Sequence, residues 1–238
     1  MILGVDHIAL SCDDLAAGCA VLEAAGWGIR FREDALPNHP AKRPFLRQYH
    51  PRHGVAYARG ARGLAVELTA HGTPLARPVG GYHVSGIGAP PAWADLPATW
   101  TAPTGPDVML AVEHVALGVP DLATARAFWC DGLGARLVAE SASAVQVRFA
   151  APVPSLEGDL HLALDPDAPV APALDDAGFP CLALLCSDVA ADAERALRAG
   201  ATRRSGRFDL TVAGRPLRIE LLAGPSGELV ELIQLART

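Results

Sequence analysis

Two histidines and two glutamates stand at repeated positions in this chain. His7 lies in VDHIAL and His114 in VEHVAL, while Glu67 lies in GLAVEL and Glu231 in GELVEL. Imidazole nitrogen and carboxylate oxygen are ligands for Fe, Mn, Ni and Zn, and two histidines with one carboxylate leave open positions for a chelating substrate. A metal held that way polarises a carbonyl, stabilises an enediolate or catecholate, or, if it is iron, manages dioxygen. Glu67 and Glu231 sit in strongly apolar stretches, where an unpaired carboxylate is costly. Each needs a metal, an arginine such as Arg218, or a buried hydrogen bond, and Glu67 is also a candidate for proton transfer.

A second group is the segment 38–62, which holds His39, Lys42, Arg43, Arg47, His50, Arg52, His53, Arg59 and Arg62 without one acid, interleaved with Phe45, Tyr49 and Tyr57. One reading is a lid on which Arg43, Arg47 and Tyr57 bind a substrate carboxylate or phosphate, guanidinium groups doing so bidentately. Tyr49, His50 or His53 then serve as acid or base. The other reading is a solvated loop. Lys42 is the only lysine of the chain, which reads as coding bias without functional content.

The elements that must carry these residues repeat. VDHIALSCDDL from Val5, VEHVALGVPDL from Val112 and FPCLALLCSDV from Phe179 align without a gap, matching His7 with His114 and Cys181, and Asp14 with Asp121 and Asp188. Each copy opens as a strand whose alternate residues divide into an apolar face (Ile8 and Leu10, Val115 and Leu117, Leu182 and Leu184) and a face of small residues beside His7, His114 or Cys181. The aspartate starts a helix, and Gly26, Gly132 and Gly200 are expected to end the three helices. The closing strands match too, with Glu67 and Glu231 equivalent. In the second copy, GDLHLAL places a leucine there and His161 one residue earlier. The unit is β-α-β-β-β, at about 1–70, 110–165 and 178–238. Residues 71–106, rich in Pro, Gly and Trp, read as a linker or a degraded module. The expected division is 1–106 for the first module with that linker and 107–238 for a two-module domain.

The chain has 238 residues, 50% hydrophobic and 19% charged, with 26 acidic against 20 basic side chains and a net charge of −6. That composition excludes a disordered chain. A mildly acidic chain without a basic stripe is not built for nucleic acid. Five cysteines, an odd number with no CxxC pair, indicate reduced thiols. The start MILGVDHIALSCDD shows neither a signal peptide nor a membrane span, so a cytoplasmic location is expected. Phosphate-cradling GxxxxGK[ST], GxGxxG and GxSxG motifs are absent.

VDHIAL, VEHVAL, AFWCDGLGARLV and LLAGPSGELVELIQL together resemble the vicinal oxygen chelate superfamily, which includes glyoxalase I, bleomycin-resistance proteins and extradiol dioxygenases. The resemblance implies an α+β fold of paired β-α-β-β-β modules in cupped mixed sheets, with a divalent metal (Fe, Zn, Ni or Mn) inside. It assigns metal ligation to His7, Glu67, His114 and Glu231. Two departures stand out: Cys181 replaces the first-strand ligand of the third copy, and the second copy lacks its glutamate. Three pairings stay open. Copies two and three offer His114, Glu231 and Cys181; copies one and two offer His7, Glu67 and His114; copy one in a homodimer offers two His7 and two Glu67. The implied function is a metal-dependent glyoxalase- or dioxygenase-like enzyme acting on a small anionic molecule with vicinal oxygens. The alternative is a metal-free, resistance-type protein that sequesters a small molecule in the same cup.

Overall fold

A computed structural model describes residues 1–72, 81–88, 90, 93, 95–102, 110–168 and 172–236. The first copy forms strand β1 (Ile2–Ser11), helix α1 (Leu15–Ala24) and strands β2 (Gly28–Pro37), β3 (Arg52–Arg59) and β4 (Ala65–Ala70). The segment read as a linker or a degraded module contributes β5 (His83–Ile87) and β6 (Ala98–Thr101). The second copy supplies β7 (Ala111–Val119), α2 (Leu122–Ala127), β8 (Arg136–Glu140), β9 (Ala144–Phe149) and β10 (Gly158–Leu164). The third supplies β11 (Cys181–Cys186), α3 (Val189–Arg198), β12 (Arg203–Arg204), β13 (Phe208–Val212), β14 (Arg215–Ala223) and β15 (Leu229–Leu235).

The architecture is α+β with two mixed sheets. One runs β12-β14-β15-β11-β1-β4-β3-β2, with β13 on β14, and the other runs β6-β5-β7-β10-β9-β8. Copy one therefore pairs with copy three through antiparallel β1 and β11, a combination outside the three expected. The cause lies in 71–106. Its β5 pairs antiparallel with β7, occupying the edge that copy one would need to join copy two. Both sheets therefore draw strands from either side of residue 106. The edge of β1 at which a second copy one would have paired in a homodimer is filled by β11 of the same chain.

Local chemistry explains the elements. Asp14 accepts hydrogen bonds from the Ala16 and Ala17 amides at 2.8 and 3.0 Å, Asp121 from Thr124 at 2.7 Å and Asp188 from Ala191 at 3.1 Å. Each carboxylate satisfies amides that the first turn leaves unpaired. Leu15, Cys19 and Leu22 are buried on α1 as their spacing requires. Gly26 and Gly200 take the left-handed conformation at their helix ends. The middle helix departs from expectation: α2 passes into a π-helical turn at Phe128–Gly132, and the left-handed residue is Gly134 instead of Gly132. That turn buries Phe128 and Trp129 in the core.

The apolar strand faces of both sheets, including Ile8, Leu10, Val115, Leu117, Leu182 and Leu184, meet in one core. One junction between the sheets is at Gly63, where the Leu64 amide donates to the Val112 carbonyl at 2.8 Å. Gly63 has φ +78, and an added Cβ would collide with that same carbonyl. A left-handed non-glycine residue costs roughly 1–3 kcal/mol, so Gly63→Ala is expected to lower unfolding stability by at least that much. Urea denaturation measures it, and an unchanged midpoint would show that the two sheets do not depend on this approach.

Candidate metal centre

The β1–β11 seam sets the site. Ala9 of β1 lies opposite Glu67 of β4, and Ala183 of β11 lies opposite Glu231 of β15. Both glutamates therefore emerge on the small-residue face that also carries His7. His7 Nε2 is 3.7 Å from Glu67 Oε1 and 3.9 Å from Glu231 Oε2, and ligand atoms of the three residues all lie within 4.8 Å of one another. His7 is 2% exposed. Its Nδ1 sits 2.8 Å from Asp6 Oδ2, while its Nε2 is buried without a hydrogen-bond partner. Asp6 is adjacent in sequence, and the register shift between Val5 and His7 breaks the strand alternation there.

The site is strongly polarised. Burial opposes charge on His7, yet Glu67, Asp6 and Glu231 outweigh it and raise its pKa to about 9. Glu67 is pushed up, first by burial and then by Glu231, with the His7 charge opposing. Burial, reinforced by Glu231 and Glu67, drives the Cys181 thiol well above its ordinary value. The fourth position of the set therefore carries a neutral thiol.

The cluster lines a cavity of about 640 Å³ whose wall also includes Lys42, His53 and Tyr57. Tyr57 stands edge-on to His7 at 5.7 Å between ring centroids, stacks on Phe31, and donates its hydroxyl to the Asp6 carbonyl at 3.2 Å. A smaller hollow of about 20 Å³ shares Lys42, His53, Glu67 and Glu231 with this cavity and is bordered also by Thr69, His71 and Cys181.

The remaining expected residues lie elsewhere. His114 is exposed on β7 of the other sheet, its ring edge-on to His161 at 5.4 Å, because copy two never pairs with copy one. His161 lies opposite Ala116, the counterpart of Ala9 and Ala183, so histidine and not leucine occupies the second copy's last-strand position. Arg43 is exposed with its guanidinium 4.3 Å over the Tyr49 ring. Tyr49 donates its hydroxyl to the Asn38 carbonyl at 2.6 Å. Arg47 is held by Asp176 through Nε and Nη2 at 3.1 and 2.9 Å. Neither these three nor His50 lines the two cavities. The basic segment packs back onto the fold through such ties, leaving Lys42, His53, Tyr57 and Arg59 to face the cavity.

Asp6, Lys42 and His71 escaped sequence reasoning. No periodicity marks Asp6, and His71 follows the last residue of a strand. Lys42 did carry a signal, its singularity among arginines.

A nine-stranded sheet built from paired β-α-β-β-β modules, with histidine and glutamates converging on its small-residue face, defines a vicinal oxygen chelate type of protein. The description Glyoxalase/Bleomycin resistance protein/Dioxygenase superfamily matches residues 111–232, just over half of the chain. The chain belongs to that superfamily. No curated protein matches it. Among solved structures it is similar to glyoxalase I from Zea mays, at 18% identity over 97% of this chain and 67% of that one, TM-score 0.37. It is also similar to a putative dioxygenase from Bacillus subtilis subsp. subtilis str. 168, at 14% identity over 99% and 64%, TM-score 0.38. A glyoxalase-related enzyme from Fulvimarina pelagi matches at 20% identity over 53% and 88%, TM-score 0.40.

His53 and His71 give this region a pH dependence. Their rings stack at 5.2 Å. Burial, then the nearby Lys42 charge, lowers His53 from 6.5 to about 2 and His71 from 6.5 to about 4. Near neutral pH His53 is thus a hydrogen-bonding imidazole and not a proton carrier. Unfolded histidine binds its proton below about pH 6.5, so between about 4 and 6.5 the unfolded state holds more protons and stability falls on acidification. The slope is at most about 1.4 kcal/mol per pH unit per histidine. His53→Gln is expected to flatten the stability profile in that window, read as urea midpoints from pH 4.5 to 7.5. A slope equal to that of the unsubstituted protein would mean that His53 is not held neutral.

Proposed function

We propose that the protein is a metal-dependent enzyme of the glyoxalase or dioxygenase kind, acting on a small anionic substrate with oxygens on adjacent carbons. The observation that carries this reading is the buried, unpartnered His7 Nε2 facing Glu67 and Glu231 across 3.7 and 3.9 Å at the wall of the large cavity. One imidazole nitrogen and two carboxylates fit iron, zinc, nickel or manganese, and His7, Glu67 and Glu231 would hold the ion. Bound there, the metal supplies Lewis-acid polarisation of a chelated oxygen pair and, if it is iron, dioxygen chemistry.

The side chains supply the rest. Asp6 fixes the His7 ring from behind through Nδ1, which directs Nε2 into the cavity, the usual arrangement for a ligating histidine. Glu67, whose affinity for a proton is raised by burial, is placed to take a proton from bound substrate and return it at Oε1. Tyr57 and Phe31 form an aromatic wall beside the cluster. Such a wall limits water near the reacting atoms.

The metal-free sequestering alternative is favoured by one observation, the neutral Cys181 thiol at the position where a second histidine would complete the set. Without metal, a protonated His7 between Glu67 and Glu231 would offset part of their charge.

Protein purified without chelators is expected to hold close to one equivalent of a transition metal by elemental analysis. His7→Ala and Glu67→Gln should lower that content about tenfold or more, since metal affinity follows ligand number, and His114→Ala should leave it unchanged. Less than about a tenth of an equivalent in the unsubstituted protein would reject metal dependence in favour of the binding protein.

A further inference from the structure

Every basic residue of the chain but one is arginine, and the exception, Lys42, reaches the centre of the site. It belongs to the short 3-10 segment Pro40–Phe45 and is 9% exposed. A buried ammonium is costly unless an anion or several acceptors compensate it. Among the described residues Lys42 Nζ has no acceptor at ion-pair or hydrogen-bond distance, although its charge acts on Glu67, and the hydrogen bond made by this residue is the backbone one to the His39 carbonyl at 3.0 Å. Lys42 borders both the large cavity and the small hollow.

Other unsatisfied groups collect at the same hollow. Thr69 Oγ1, His53 Nδ1 and His71 Nδ1 are all buried without a hydrogen-bond partner, and all three residues border it. At about 20 Å³ the hollow has room for one water-sized oxygen, which needs about 10–15 Å³. Glu67 and Glu231 border the hollow as well, and the Lys42 charge acts on Glu67. Arg30, Arg59 and Arg215 border only the large cavity, so Lys42 is the ammonium that faces these unused hydrogen-bonding atoms, and it leaves room for one further negative charge at most. A dianion would meet repulsion from Glu67 and Glu231.

We propose that Lys42, with Thr69, His53 and His71, forms an anion subsite next to the His7, Glu67 and Glu231 cluster, and that the substrate carries one carboxylate seated on the Lys42 ammonium. This assigns to Lys42 the task that the sequence suggested for Arg43 and Arg47. It rests on the cavity being the substrate site, but not on a metal being bound. The substrate class is then a small monocarboxylate bearing a neighbouring oxygen, such as a 2-hydroxy or 2-oxo acid.

The single lysine makes the test specific. Reductive methylation of the full chain with ¹³C-formaldehyde labels Lys42 and the N-terminal amine, and the signal absent from Lys42→Arg protein identifies Lys42. In metal-stripped protein, lactate is expected to shift the Lys42 methyl signal saturably. Propane-1,2-diol, which keeps the adjacent oxygens and lacks the charge, should not shift it, and inorganic phosphate should need a concentration about tenfold higher, the difference expected of one charge-assisted contact. Calorimetry should show lactate binding weakened about tenfold or more in Lys42→Met. If that variant fails to fold, the labelled unsubstituted protein still decides. A Lys42 signal unmoved by lactate, moved equally by the diol or by phosphate, or missing because the amine is unreactive would overturn the subsite. Metal content of the same preparations before stripping reports separately on the metal reading, so either can fail without the other.

Discussion

The antiparallel contact between β1 and β11 is the constraint on which the site depends. Neither first strand brings enough chemistry by itself: β1 carries His7 with Glu67 on the adjoining β4, and β11 carries Cys181 with Glu231 on the adjoining β15. Joining them places two acids around one imidazole at distances that neither module reaches alone. Backbone hydrogen bonding, which is indifferent to side-chain identity, thereby determines which side chains meet. β5 enforces the choice by occupying the edge of β7.

Gathering Asp6, Glu67 and Glu231 around His7 in a poorly solvated place has an electrostatic consequence. Removing carboxylates from water favours their protonated forms, while their mutual proximity favours any cation that can join them. The imidazole answers by binding its proton more tightly, despite a burial that opposes it. A divalent ion answers the same excess more completely, because it carries two charges and has no proton to lose. Cys181 does not join this competition, since burial and the same two glutamates keep its thiol neutral.

The sequence exposed the modules, the helix caps and three residues of the cluster, His7, Glu67 and Glu231, because each rests on local pattern: strand alternation, an aspartate before a helix, a repeated position. Partnership between modules is non-local, and no local pattern encodes it. His114 was grouped with His7 on that account, although the two lie on different sheets. The same limit applies to the basic segment. Its composition suggested a set of anion-binding arginines, but Arg47 is committed to Asp176 and Arg43 to the Tyr49 ring, contacts whose partners lie far along the chain or across a turn. Of the segment's lysine and arginines, Lys42 and Arg59 border the cavity, and Lys42 was read as compositional noise. A singular residue type in a biased composition is better treated as a position where the usual substitute does not serve, since a compact ammonium and a planar guanidinium are not interchangeable in a small hollow.

The second sheet shows what the first would be without its acids. Its strands β6-β5-β7-β10 repeat the order β4-β1-β11-β15, and their registers correspond: His83 opposite Ala116 matches His7 opposite Ala183, Ser85 opposite Thr99 matches Ala9 opposite Glu67, and Ala116 opposite His161 matches Ala183 opposite Glu231. His83, Thr99, His114 and His161 thus occupy the places of His7, Glu67, Cys181 and Glu231. His83 Nε2 lies 2.9 Å from Thr99 Oγ1, a neutral pairing. Among the described residues no strands equivalent to β2 and β3 flank β6 in this sheet, and His114 is exposed. Identical backbone geometry therefore yields a buried, acid-rich cup on one side and an open, acid-poor face on the other. What separates them is the pair of flanking strands that excludes water and the two carboxylates that become consequential once water is gone.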